Sequence, residues 1–337
     1  MTKKQRIAAF VALGEFLQQD STELNEMLHR ASIQNPWYTP ANTTKQIQSI
    51  AQNLTEEKLN NWLSAYPDLD TEKTVGLILA GNIPLVGFHD LLTVLISGFT
   101  AQIKVSSDDA GLTNFLVKKL LHIAPSFQHK IQIAERLQDF DLIIATGSDN
   151  SSRYFEYYFG KKPHIIRKNR NSAAVLDGKE TKEALKGLGH DIFDYFGLGC
   201  RSVSKLYIPK GYDIAQFFEG IEDFKDIKDH YKYANNYDYN KSIYLINGDK
   251  HYDNGFLLLK EDGRLTSPLA TVFYEEYEDI ATIMASLNAQ QDKIQCLVSE
   301  VAIETHIPTF PLGQSQCPAL TDYADGVNTL DFLFANA

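Results

Sequence analysis

Along the first seventy residues the apolar positions fall at helical spacing. Ile7, Phe10, Val11, Gly14 and Leu17 recur three and four apart, which predicts an amphipathic helix packed on the body. Ser21 ahead of Leu24, Met27 and Leu28 predicts a second helix, capped by Ser21 or Thr22 and broken at Asn35-Pro36. Two short helices follow over 42–53 and 55–65. The period then changes. Residues 75–80 (VGLILA), 102–105 (QIKV) and 142–145 (LIIA) are runs of strand length. Each leads through a turn into a helical pattern: 87–98, Asp108-Asp109 through 121, and 151–159. A helix is also predicted over 131–137, and short strands over 164–166 and 173–176. Farther on, the pattern predicts a helix over 182–196, strands over 205–208, 242–246, 256–259, 270–274 and 295–298, and a helix over 277–288. The stretch 231–244, rich in Tyr and Asn, reads as an exposed loop.

Apolar strands alternating with helices predict a parallel sheet covered on both faces. The fold class is therefore α/β, with a doubly wound, Rossmann-type first half and a second α/β domain. Ligands of such sheets bind beyond the carboxyl ends of the strands. That directs attention to residues 81–84, 106–109 and 147–152. The expected organisation is an N-terminal helical region (1–70), one α/β domain (71–196), a second (197–305) and a closing segment (306–337).

Composition narrows the function. A chain of 337 residues suggests two or three domains. The formal net charge of -11 would repel a phosphate backbone, so nucleic acid is not an expected partner. Three cysteines, Cys200, Cys296 and Cys317, form no C-x-x-C pair and no disulfide framework. A reduced, cytoplasmic setting fits them, and no structural metal is expected. The basic and then apolar N-terminus resembles a leader, but Glu15 and Asp20 flank its short apolar run and no small-residue cleavage site follows. No integral membrane segment is expected: the longest apolar stretch, 83–99, carries His89 and Asp90.

Cys200 stands in Phe196-Gly197-Leu198-Gly199-Cys200-Arg201, between a helix and a strand. Glycines there let a substrate come close, which suits a nucleophile; a small buried thiol is the other reading. Thr146-Gly147-Ser148 follows a strand and precedes a helix, where backbone amides meet phosphates or simply turn the chain. Lys104, at the end of its strand, either enters a nucleotide cleft or marks a sheet edge. Arg167-Lys168-Asn169-Arg170 reads as a solvated loop or an anion site. Asp191 and Asp194 read as residues of a helix face. Cys296 reads as core, and Cys317 as either exposed or structural.

Taken in order, these segments resemble the aldehyde dehydrogenase superfamily, and within it the acyl-CoA reductase branch of the LuxC type. Gly81-Asn82-Ile83-Pro84 resembles the aromatic-Asn-Phe-Pro turn, which makes Asn82 an oxyanion donor. Gln102-Ile103-Lys104-Val105-Ser106 resembles the strand ending Lys-Pro-Ser. Lys104, Ser106 and Ser107 would then face the adenosine ribose, and Gly147 and Ser148 the dinucleotide. Leu198-Gly199-Cys200 resembles the Gly-Gln-x-Cys region, which makes Cys200 the nucleophile. Ser267-Pro268-Leu269 and Pro311-Leu312-Gly313-Gln314-Ser315 resemble the later Phe-Gly-Pro and Pro-Phe-Gly-Gly segments.

The resemblance makes residues 71–196 dinucleotide-binding, residues 197–305 catalytic, and residues 306–337 a return to the cofactor domain. It implies NADPH-dependent reduction of a long-chain acyl-CoA or acyl-protein thioester to the aldehyde, through an acyl-cysteine. Two departures sharpen this. Residues 166–170 hold no acid where hydrolytic relatives carry their general base, which favours reduction of a coenzyme A thioester over oxidation of an aldehyde to free acid. Ser107 replaces the acid that grips the ribose hydroxyls, which favours NADPH. The alternatives are an aldehyde dehydrogenase recruiting Glu300 or Glu304 as base, and a catalytically inactive binding or scaffold relative. A homo-oligomer is the family's default, and an acyl-transferring or aldehyde-consuming enzyme is a plausible partner.

Overall fold

A computed structural model describes residues 1–337 apart from the side chain of Asp149. The chain forms two compact units, residues 1–169 with 319–337, and residues 170–318. The units divide at 169/170 and 318/319, where the division read from the sequence places 70/71, 196/197 and 305/306.

The first unit begins with α1 (Lys3–Leu17), α2 (Thr22–Gln34), α3 (Pro40–Asn53) and α4 (Glu56–Trp62). Their starts carry side-chain caps, each worth about 1 kcal/mol. Thr2 and Gln5 close a capping box on α1, and Ser21 accepts from Leu24 N at 3.2 Å. Ile7, Phe10, Leu13 and Leu17 of α1 are buried in the same apolar core as the sheet that follows. Arg6 is buried beside them, its Nε donating to Ile96 O at 2.8 Å.

That sheet is built from β1 (Thr74–Ile78), α5 (Phe88–Ile96), β2 (Thr100–Lys104), α6 (Leu112–Ile123), β3 (Ile131–Ile133), β4 (Leu142–Thr146), α7 (Asp149–Phe159) and β5 (His164–Arg167). All its strands are parallel, in the order β3-β2-β1-β4-β5. Ile78 of β1 lies opposite both Lys104 and Ala145, so β1, β2 and β4 end level with one another. The strand order reverses direction at β1, and the gap between β1 and β4 is the switch point where α/β sheets take ligands. The C-terminal helix Thr329–Ala335 buries Leu330 and Leu333 in the same core.

Two expectations in this unit are corrected. Residues 131–137 start as an edge strand, not a helix; Ile133 is 46 % exposed, so its spacing from Ile131 records no buried helical stripe. The helix expected from Asp108 begins at Leu112, because a 3-10 turn (Ser107–Asp109) and two left-handed residues, Ala110 and Gly111, intervene. Asp109 still caps that helix, accepting from Thr113 N at 2.9 Å and from Thr113 Oγ1 at 2.6 Å.

The second unit comprises β6 (Asn171–Val175), α8 (Lys182–Phe193), β7 (Val203–Pro209), α9 (Ile214–Gly220), α10 (Tyr231–Asn247), β8 (Tyr252–Asp253), β9 (Leu258–Glu261), β10 (Thr271–Tyr277), α11 (Ile280–Ala289), β11 (Ile294–Val298) and β12 (Thr309–Phe310). They build a sheet ordered β12-β11-β6-β7-β10-β9-β8, parallel except at the β8–β9 edge. Four more expectations are corrected here. Residues 231–244 are no loop, and 242–246 no strand: both lie in α10, whose buried face is Tyr233, Tyr237, Asn240 and Tyr244. The helix predicted to 196 stops at Phe193. The predicted helix at 277 starts at Ile280, because β10 runs on through Tyr277.

Candidate active site

Three turns follow the level strand ends of the first unit. After β1 comes Gly81-Asn82-Ile83-Pro84, with Gly81 buried and Asn82 exposed. A side chain at Gly81 has no room: its Cβ would stand 2.8 Å from Ser106 Oγ and 3.1 Å from Asp109 N. The turn after β1 is thus pressed against the turn after β2. In that second turn, Ser106 Oγ accepts from Asp108 N at 3.2 Å, while Ser107 and Lys104 are exposed. Lys104 has no ion-pair partner among the described residues.

After β4, a Cβ on Gly147 would lie 2.8 Å from both Phe155 Cε2 and Ser151 Cβ, so glycine lets the turn close onto α7. Ser148 caps α7, its Oγ accepting from Ser151 N at 3.3 Å. Asn82, Lys104, Ser106, Ser107, Gly147 and Ser148 are therefore brought to one edge of one sheet. That edge offers an ammonium, hydroxyls and close backbone access, a donor set that fits a dinucleotide phosphate chain.

The basic cluster 167–170 is not an open anion site. Arg167 is buried, with Nη1 paired to the buried Asp90 carboxylate and Nη2 donating to Thr329 Oγ1 at 3.2 Å. Lys168 pairs with Glu156 at 2.9 Å.

Cys200 belongs to the second unit. The chain leaves α8 through a left-handed turn in which Tyr195, Phe196 and Gly197 have φ of 54°, 59° and 76°. For bulky residues this conformation costs about 1–2 kcal/mol apiece. Burial of both rings offsets that cost, with the Phe196 ring tilted at 36° to His230, centroids 4.3 Å apart. Cys200 emerges exposed just beyond, ahead of β7. Its carbonyl accepts from Ser172 Oγ at 2.9 Å, and Ser172 Oγ lies 3.1 Å from Cys296 Sγ. Ser172 commits its proton to Cys200, so the Cys296 thiol is the donor in the second contact. Burial pushes Cys296 up to about 11, so it stays protonated and unreactive at neutral pH. Cys317 is exposed, as Cys200 is.

Asp191 lies on a helix face, as its sequence context predicts, but its role is not legible there. It is fully buried on α8 and gathers the segment after β12. Its carboxylate accepts from Gly313 N at 2.6 Å, Ser315 N at 3.0 Å and Ser315 Oγ at 2.7 Å. Burial nevertheless pushes its carboxyl up to about 6. Glu300, weighed as a general base, accepts from Leu312 N at 3.0 Å in the same segment. Tyr38, missed from the sequence, holds the turn after β1. The only sequence signal for it was its place two residues past the Asn35-Pro36 break.

Among the described residues, no cluster of His, Cys, Asp or Glu can hold a metal ion, and no helix is long and apolar enough to cross a membrane.

Comparison with known proteins now bears on this site. The family model for acyl-CoA reductase (LuxC) matches residues 48–219, just over half the chain. The chain belongs to this family. The LuxC match takes in the turns after β1, β2 and β4 and runs past Cys200. A long-chain acyl-protein thioester reductase from Aliivibrio fischeri is 24% identical over 146 residues, 39% of this chain and 30% of that protein. Long-chain acyl-protein thioester reductase 2 from Photobacterium leiognathi is 25% identical over 170 residues, 44% of this chain and 35% of that protein. The matched region spans about a third of these relatives' length.

Solved structures show the fold to be that of aldehyde dehydrogenases. Aldehyde dehydrogenase 21 from Physcomitrella patens superposes with a TM-score of 0.71 at 12% identity, over 100% of this chain and 84% of that one. A benzaldehyde dehydrogenase from Corynebacterium glutamicum gives 0.69 at 13% identity, over 91% and 81%.

Proposed function

We propose that this LuxC-family chain reduces a long-chain acyl thioester, carried by coenzyme A or by a protein, to the aldehyde, with NADPH as reductant and Cys200 as the covalent carrier. The observation that carries the proposal is the state of the cysteines. Cys200 is exposed behind a left-handed turn and has its backbone fixed, whereas Cys296 is buried and held as a thiol.

The Cys200 thiolate attacks the thioester carbonyl. The C–S bond to the incoming carrier breaks, the carrier thiolate leaves, and the acyl group stays on Cys200 as a new thioester. Asn82 is assigned as a donor to the oxyanion of that step, where one such donor is worth about 2.7–4 kcal/mol. The bound nicotinamide supplies the hydride that takes the acyl group to the aldehyde level. Cys200 then leaves as thiolate when the C–S bond breaks, and is regenerated.

Lys104, Ser106, Ser107, Gly147 and Ser148 are assigned to the dinucleotide. Ser107, neutral where an acid would oppose a 2′-phosphate, supports NADPH over NADH. Arg167, locked to Asp90 in the stretch where hydrolytic relatives place their base, supports release of aldehyde over free acid.

The test is NADPH oxidation with acyl-CoAs of several chain lengths, with aldehyde measured as product. Aldehyde formed in equal amount to NADPH consumed supports the proposal. Consumption of aldehyde with NAD+ or NADP+, and no turnover of acyl-CoA, would favour an aldehyde dehydrogenase.

A further inference from the structure

The segment Asn35-Pro36-Trp37-Tyr38, between α2 and α3, touches both turns that flank β1 and β2. Tyr38 is wholly buried. Its single hydroxyl proton is shared between Gly81 O at 2.8 Å and Ile83 O at 3.1 Å, the carbonyls of the residues on either side of Asn82. Three residues earlier, Asn35 Nδ2 donates to Asp108 O at 2.9 Å, in the turn that follows Lys104. Asn35 is itself fixed: its Oδ1 accepts from Trp37 N at 3.1 Å, and its carbonyl accepts from Tyr38 N at 2.8 Å. Thr39 starts α3 directly afterwards, its Oγ1 capping Asn42 N at 3.3 Å. The segment is therefore a rigid elbow between two helices, with one polar arm on each turn.

The turns need such a hold. Gly81 and Ser106 are packed with no space for a Cβ between them, so displacement of one turn displaces the other. Leu85, just past Pro84, sits at φ 53°, a conformation that persists only where the surroundings enforce it. Burial, together with the nearby Asp109 and Asp108, holds the Tyr38 phenol far above its ordinary pKa, so it remains a donor throughout the working pH range.

We infer that the Asn35–Tyr38 elbow is a positioning clamp for the proposed reaction: Tyr38 aims Asn82 at the acyl oxyanion, and Asn35 sets the Ser106–Asp109 turn for the dinucleotide. The role rests on the proposed function, but the clamp itself is a property of the fold and is tested separately.

Tyr38→Phe keeps the ring and removes only the donor. Hydrogen exchange at the amides of residues 80–86 should quicken in Y38F while exchange over α1 and β4 stays as in the wild type. Unchanged exchange at 80–86 overturns the clamp, whether or not the protein turns over. The functional arm uses myristoyl-CoA without NADPH and follows the rate of acyl-adduct formation. Y38F should slow it about tenfold, part of the hundredfold or more expected for loss of an oxyanion donor. Y38F placed in an Asn82→Ala background should slow it no further. Asn35→Ala should weaken NADPH binding severalfold and, because the two turns are pressed together, slow adduct formation less than Y38F does. If Y38F acylates at the wild-type rate, or slows the Asn82→Ala protein by the same factor as the wild type, Tyr38 does not act through Asn82. If the wild type forms no adduct while exchange at 80–86 responds to Y38F, the clamp stands and the proposed function fails.

Discussion

Asp191 yields a quantitative prediction. Burial raises its carboxyl from 3.8 to about 6, against three donors that favour the charged form. An acid whose folded pKa exceeds its unfolded one holds its proton more tightly in the native state. The stability it contributes is present at low pH and lost as pH rises through the folded value. A shift of this size corresponds to about 3 kcal/mol in total, at about 1.4 kcal/mol per unit. Between about pH 5 and about pH 8 the part lost is on the order of 1 kcal/mol. Asp191→Asn cannot titrate. It also sets an amide NH2 against Gly313 N–H or the Ser315 donors, which adds a cost that does not vary with pH. Urea unfolding followed by far-UV circular dichroism at the two pH values gives the stability difference, wild type minus variant. That difference should fall by on the order of 1 kcal/mol on going to the higher pH. A difference that stays constant, or grows with pH, would refute the reasoning.

Lys104→Ala should weaken NADPH binding more than NADH binding in fluorescence titrations; unchanged NADPH affinity removes Lys104 from the site. Arg167→Met leaves the Asp90 carboxylate buried without its counter-charge and should cost about 3–5 kcal/mol in chemical denaturation; a loss under about 1 kcal/mol would mean that water reaches Asp90.

The alternation of apolar strands and helices was legible because β1 and β4 are buried on both faces and their interiors carry no polar residue. The turns at their ends were singled out through the motifs they resemble. Helix α10 was not, because its core face is tyrosine. Tyr233, Tyr237 and Tyr244 keep helical spacing but look polar among Asn and Asp. Edge strand β3 misled for the opposite reason: Ile131 is only partly buried and Ile133 is 46 % exposed, so their spacing carries no helical burial signal. Tyr38 and Asp191 act on residues 43 and 122 to 124 positions away, and their roles exist only once the chain has folded.

The central claim is that Cys200 alone carries the acyl group. Intact-mass spectrometry after mixing the protein with a long-chain acyl-CoA and no NADPH should show one acyl adduct, and peptide mapping should place it on Cys200 rather than on the other exposed thiol, Cys317. Without a general base in 166–170 the adduct should persist, with little free fatty acid released. Cys200→Ala should abolish both adduct and reductase turnover. An adduct on Cys317, rapid release of free acid, or near-normal turnover by the Cys200→Ala protein would contradict the account.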